Sequence, residues 1–125
     1  MLRRQREVRA EVFAELGGTP RTILDLRPRA AREGILEGTG SLVLDRAQRV
    51  AYACLSPRTS RALLATFCRE LGYEPLAFHA TDARGVEIYH TNVMMSVGTR
   101  VAVVCLEAIR DARERVMIME RNLAF

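Results

Sequence analysis

A chain of 125 residues, 49% of them hydrophobic, has room for one domain with a real core and is too apolar to remain disordered. The net charge is +4 and all nineteen basic residues are arginine, but they are scattered, usually beside Glu or Asp, with no basic run interleaved with aromatics; this argues against a nucleic-acid platform. The longest apolar runs, 42–44 and 101–106, are far too short to span a bilayer, and the charged N-terminal Met1-Leu2-Arg3-Arg4-Gln5-Arg6-Glu7 has no apolar signal core behind it, so a cytoplasmic protein without membrane contact is expected.

In chain order, Val8, Val12, Phe13 and Leu16 follow the helical period and predict an amphipathic helix over 3–16, stopped by Gly17-Gly18. Residues 22–26 read as a short strand, and the charged 27–34 as a surface connection. Glu37-Gly38-Thr39-Gly40 is a turn leading into a strand at 41–45. A polar turn then gives way to a second strand at 50–55. Ser56-Pro57 fits an N-cap followed by proline at the first helical position, predicting a helix that runs to Leu71 with Leu63, Leu64, Phe67, Cys68 and Leu71 on one face. A third strand is expected at 75–80, and Asp82-Ala83-Arg84-Gly85 is turn chemistry. The pattern then restarts. A strand is predicted at 88–97, a hairpin turn at Gly98-Thr99, a strand at 100–106, and a helix over 108–123 burying Ile109, Ala112, Val116, Met119 and Leu123. Met94 and Met95 read as core packing. Cys54, Cys68 and Cys105 lie far apart among apolar residues and read as reduced, buried, inert thiols. No Cys-x-x-Cys or His-x-x-x-His pairing suggests a metal site, and no organic cofactor is indicated.

The two halves can be superposed. Val50-Ala51-Tyr52-Ala53-Cys54-Leu55 matches Val101-Ala102-Val103-Val104-Cys105-Leu106, and the Glu37 turn then falls opposite His90 once the first hairpin is allowed two extra residues. The chain is therefore an α/β (α+β) repeat of strand, strand, helix, strand. One unit cannot cover both faces of its small sheet, so neighbours must, and a closed ring is the usual solution. Equivalent positions in such a ring line one cavity, so the 53 residues between Glu37 and His90 say little about their distance in space. A carboxylate, the Arg58 guanidinium and an imidazole could converge there on a small, nitrogen-rich, charged substrate. Taken singly, each has a plainer reading: a turn carboxylate, a surface arginine, a half-buried histidine. His79 has no assignment.

Three segments, Leu36-Glu37-Gly38-Thr39-Gly40-Ser41, Tyr52-Ala53-Cys54-Leu55-Ser56-Pro57-Arg58-Thr59 and Tyr89-His90-Thr91-Asn92-Val93-Met94-Met95, resemble the guanidino-group-modifying (pentein) superfamily, in its amidinotransferase or citrulline-utilisation hydrolase branch. The likeness covers roughly 20–123. It implies a partial five-bladed α/β-propeller: 35–82 one ββαβ blade, 86–125 an incomplete blade, and 1–34 the tail of a preceding blade with its connection. It also implies roles. A cysteine thiolate attacks the central carbon of a guanidinium or ureido group, His90 moves protons, Glu37 holds the substrate and Arg58 clamps its α-carboxylate. A carboxylate pairs well with a guanidinium, and arginine's planar fork suits a carboxylate better than lysine does.

Two departures from the pattern lower the negative charge. Asn92 stands where relatives often carry aspartate, and strand alternation would put it on the face of His90. An amide donates and accepts, which suits a ureido oxygen and leans the reading toward a citrulline-like substrate. Gly40 stands where a second aspartate is often found. Members of the superfamily are also more than twice as long, with the nucleophilic cysteine in a Gly-rich segment near the C-terminus. The resemblance thus implies a fragment without the covalent step, binding a small amino-acid substrate and prone to self-association or to docking with missing blades through open edges. Amidino transfer and a non-catalytic binding or assembly role are the alternatives.

Overall fold

The computed structural model describes residues 10–15 and 23–122, within which four helices and five strands form. Helix α1 spans Ala10–Glu15. The expected helix beyond it and its apolar stripe fall outside the described side chains. Residues 23–26 form no strand, contrary to expectation: they have no ladder partner among the described residues, and Asp25 instead accepts hydrogen bonds from the backbone and side chain of Arg27. The connection that follows is helical: a 3-10 turn, Arg27–Arg29, runs into α2, Ala30–Glu33.

The main sheet has the order β1 (Val43–Asp45), β2 (Val50–Cys54), β3 (Glu74–Phe78). β1 and β2 form an antiparallel hairpin with Val43 opposite Tyr52. β2 and β3 are parallel, joined by a crossover through α3, Arg61–Leu71. All five residues of β2 are buried, as a central strand covered on both faces requires. Val50, Tyr52 and Cys54 pack with Phe78, Met94, Met95, Ile109 and Ile118 on one side. Ala51 and Ala53 pack with Leu42, Leu64 and Cys68 on the other, where their small side chains let α3 approach.

Helix α3 begins four residues later than the sequence suggested. Its N-cap is Ser60, not Ser56: Ser60 is extended and its Oγ accepts from Leu63 N at 3.1 Å. Residues 56–59 instead close on themselves, Ser56 and Thr59 exchanging both backbone hydrogen bonds. Arg58 therefore projects from a tight turn rather than from a helix. Ser60 Oγ also donates to Glu33 O, and Glu33 Oε2 accepts from Thr66 Oγ1 at 2.7 Å, so α2 and α3 share one polar seam.

The second unit is smaller. The strand predicted over 88–97 is real only at β4, Met95–Val97, because Thr91–Val93 turns as a 3-10 helix. β4 pairs antiparallel with β5, Ala102–Val104, across the Gly98–Val101 turn. Here the matched sequences part company. β2 is covered on both faces, whereas β5 is half-buried at Ala102 and Val104 and exposed at Val103. Cys105, just past the strand, is exposed, contrary to the reading that made it a buried thiol; the sheet has one covered face, and Cys105 falls on the other with Val101 and Val103.

Helix α4, Ala112–Asn122, starts after a separate 3-10 turn, Leu106–Ala108. Its buried face is also rotated from the expected one. Ile118 is fully buried while Val116 and Met119 are exposed; Leu123 lies outside the described residues. Polar ties set the rotation. Asp111 caps Arg113 N and Glu114 N, Glu114 accepts from His79 N, and Arg115 donates to Ile109 O. The first unit is thus strand, strand, helix, strand and the second strand, strand, helix: a mixed α/β fold of small sheets and helices.

Candidate active site

Glu37, Arg58 and His90 meet where three segments cross: the turn before β1, the turn after β2 and the loop before β4. His90 Nε2 lies 2.8 Å from Glu37 Oε2, and with the carboxylate accepting, Nε2 carries the shared hydrogen. Arg58 Nη1 lies 3.6 Å from the same oxygen. The three side chains are 20–32% exposed, so a small ligand can reach them while water is partly excluded.

Hydroxyls that the sequence reading passed over hold this crossing together. Ser41 Oγ accepts from Glu37 N at 2.8 Å and from Thr59 Oγ1 at 2.8 Å, and donates to Arg58 O at 2.9 Å. One buried serine thereby ties the backbones of the acid and the arginine. Thr91 does the same for the imidazole segment. Its Oγ1 donates to Ser41 O at 2.5 Å and accepts from Cys54 N at 2.8 Å, and its backbone N donates to Gly40 O at 2.7 Å. Ser56 Oγ accepts from Arg58 N and donates to Tyr89 O, both at 3.2 Å. Ser, Thr and short turns are common on any surface, so nothing in their spacing sets these apart.

Gly40 has a steric reason to be glycine. A Cβ there would stand 2.9 Å from both Cδ2 and Nε2 of His90, so the ring lies over the bare backbone. Asn92 is not placed by strand alternation as expected. It sits exposed in the 3-10 turn after His90, where the period of two does not apply. His79 lies elsewhere, its Nδ1 2.9 Å from Glu114 Oε1. A groove of about 680 Å³ between β3 and α4, lined by Glu74, Leu76, Val116 and Arg121, holds none of the three site residues. Among the described residues no group of three His, Cys, Asp or Glu could hold a metal ion, and no helix is long and apolar enough to cross a membrane.

The sequence profile of one family, N,N dimethylarginine dimethylhydrolase, eukaryotic, matches residues 2–124. The chain belongs to this family. It is thereby a member of the dimethylarginine dimethylhydrolases and of the guanidino-modifying pentein superfamily that contains them. No curated protein and no solved structure matches the chain. In this dimethylhydrolase chain, Cys54 and Cys68 are buried, and desolvation pushes both thiols up from the ordinary value near 9 to about 11. At pH 8 on the order of a thousandth of each is thiolate, so neither is a ready nucleophile.

A labelling order follows from this. A thiol reagent at pH 8 is expected to modify Cys105 quickly and Cys54 and Cys68 only after unfolding, read as one fast equivalent of three by mass spectrometry. Because the folded state holds both buried thiols protonated, their contribution to stability is intact below about pH 9 and falls as pH rises toward 11. Three fast equivalents at pH 8 would contradict the burial.

Proposed function

We propose that this chain carries the acid/base and substrate-recognition part of a Cys-His-Glu hydrolase. Its substrates would be linear amidine or ureido amino acids of the citrulline and arginine type, N,N-dimethylarginine among them. The observation that carries the reading is the meeting of Glu37 with both His90, at 2.8 Å, and Arg58, at 3.6 Å, across 53 residues of sequence. In this reading Glu37 receives the substrate's N–H groups, His90 shuttles protons to the leaving amine and from water, and Arg58 clamps the α-carboxylate. Asn92 offers a donor to a ureido oxygen and an acceptor to a ureido N–H. The thiolate attacks the central carbon, the amine leaves with a proton, and water releases the thiol. Protonated, buried Cys54 and Cys68 do not suit that role, and Cys105, though exposed, takes no part in the contacts that join Glu37, Arg58 and His90, so we read the nucleophile as a cysteine outside these 125 residues.

The architecture is read in the same terms. Residues 35–82 form one blade, 86–125 an incomplete second, and 1–34 the tail of a preceding blade and its connection, in a five-bladed ring. The ββαβ order of the first unit and the ββα order of the second support this.

Titration calorimetry of the chain with L-citrulline, L-arginine and N,N-dimethylarginine tests recognition. Binding without turnover is expected, weakened roughly 10- to 100-fold in Arg58→Ala, the range for losing a hydrogen bond to a charged group. Turnover by this chain alone would place the nucleophile among its own three thiols. Once a cysteine-bearing segment is supplied, product release without glycine marks hydrolysis. A strict need for glycine would mark amidino transfer instead, and binding that never leads to product would favour a recognition or assembly module.

A further inference from the structure

Tyr89 is half exposed, at 51%, yet it is neither loose nor part of the core. The Arg58 guanidinium carbon lies 4.4 Å from its ring centroid. The same ring meets the His90 imidazole edge-on, centroids 4.8 Å apart and planes at 65°. Its backbone carbonyl accepts from Ser56 Oγ, the hydroxyl that also accepts from Arg58 N. One aromatic side chain therefore touches two of the three site residues, and one serine fixes its backbone to that of Arg58.

We propose that Tyr89 is a positioning residue that holds the Arg58 guanidinium ready for a substrate carboxylate; this rests on the clamp role given above. Arginine has a long stem with many rotamers, and ordering it costs binding free energy unless something orders it beforehand. Glu37 cannot do this alone, because its Oε2 is already engaged by His90 and Arg58 stands 3.6 Å away. The Tyr89 ring supplies a second restraint through its π face, which attracts the cation without presenting a rival carboxylate. When substrate arrives, its guanidino or ureido head takes Glu37, and Arg58, still against the ring, turns its N–H groups to the incoming carboxylate. The edge contact with His90 puts the imidazole and the clamp against one wall, so the two ends of the substrate are read from a common support. The phenol oxygen has no part in this; the ring alone is required.

The test compares L-citrulline with N-(4-aminobutyl)urea, which lacks only the carboxylate, in binding to the wild-type chain, Tyr89→Phe, Tyr89→Leu and Arg58→Ala. Loss of an exposed cation–π contact predicts citrulline binding weakened about two- to fivefold in Tyr89→Leu. The carboxylate-free urea is expected to be unaffected and Tyr89→Phe to match wild type. The side-chain protons of Arg58, shifted upfield by the ring in wild type and Tyr89→Phe, should lose that shift in Tyr89→Leu. If Arg58→Ala separates the two ligands and Tyr89→Leu does not, the clamp stands and Tyr89 has no positioning role. If Arg58→Ala weakens both ligands equally, the clamp reading fails and the role of Tyr89 fails with it.

Discussion

Replacing Gly40 with alanine is expected to expel the His90 imidazole from its place against Glu37. The added Cβ would lie 2.9 Å from two ring atoms, inside the closest approach that carbon tolerates, and a tight 3.2 Å from a third. The backbone at Gly40 cannot retreat easily, since its carbonyl accepts from Thr91 N at 2.7 Å and its own N donates to Glu37 O at 3.1 Å. The ring is the part free to move, and moving it breaks the 2.8 Å contact with Glu37. In an assay that reports turnover by the proposed chemistry, loss of the positioned acid/base group should cost roughly 10²- to 10⁴-fold. Overpacking should destabilise the fold by only about 1–3 kcal/mol. The chain has two histidines, so imidazole nitrogen NMR gives a clean reading. His90 should shift in Gly40→Ala while His79, held by Glu114, should not. Gly38→Ala is the control. Gly38 has φ 52 with nothing near its missing Cβ, so that variant should lose stability without disturbing His90. An unmoved His90 resonance in Gly40→Ala would refute the packing argument. The same contact accounts for the missing acid in this turn: an aspartate at position 40 would need the space the imidazole occupies.

Thr91→Val should be the most destabilising conservative change near the site. Thr91 is fully buried, and its hydroxyl satisfies Cys54 N and Ser41 O together. Valine has nearly the same shape, so no cavity forms, but two buried backbone groups lose their partner. Each orphaned group costs about 1–3 kcal/mol, or roughly 2–6 kcal/mol for the pair. Against the ~5–15 kcal/mol of a typical domain, this would remove a large part of the total stability. Thr91→Ser keeps both hydrogen bonds and should stay within about 1.5 kcal/mol of wild type. Urea denaturation of the three proteins measures the difference. Equal midpoints for valine and serine would show that the hydroxyl does not tie the loop before β4 to β2 and to the acidic turn.

How far the sequence could be read depended on whether the deciding contacts were local. The apolar run that became β2 and the Gly72 stop of α3, with φ 67, were legible because their physics is carried by adjacent residues. The internal repeat raised the expectation that Glu37 and His90 share one space, and their side chains do lie 2.8 Å apart. The choice between Ser56 and Ser60 as cap was not legible. Both precede helix-compatible residues, and the decision came from Ser60 N donating to Ile35 O at 2.7 Å, a contact 25 positions back along the chain.

By itself, the sequence determined which segments could bury a face and where several of the turns fall, and its repeat pointed to a common cavity for Glu37 and His90. All of that follows from side-chain periodicity, backbone preference and repetition. Tertiary structure alone decided that Cys105 is exposed while its counterpart Cys54 is buried, and that α4 hides Ile118 instead of Val116. It also decided that Ser41 and Thr91 bind the site together and that Tyr89 stands against Arg58. The reason is physical. A residue's exposure and hydrogen bonds depend on what covers it, and the covering groups come from sequence positions whose distance in space no local pattern encodes.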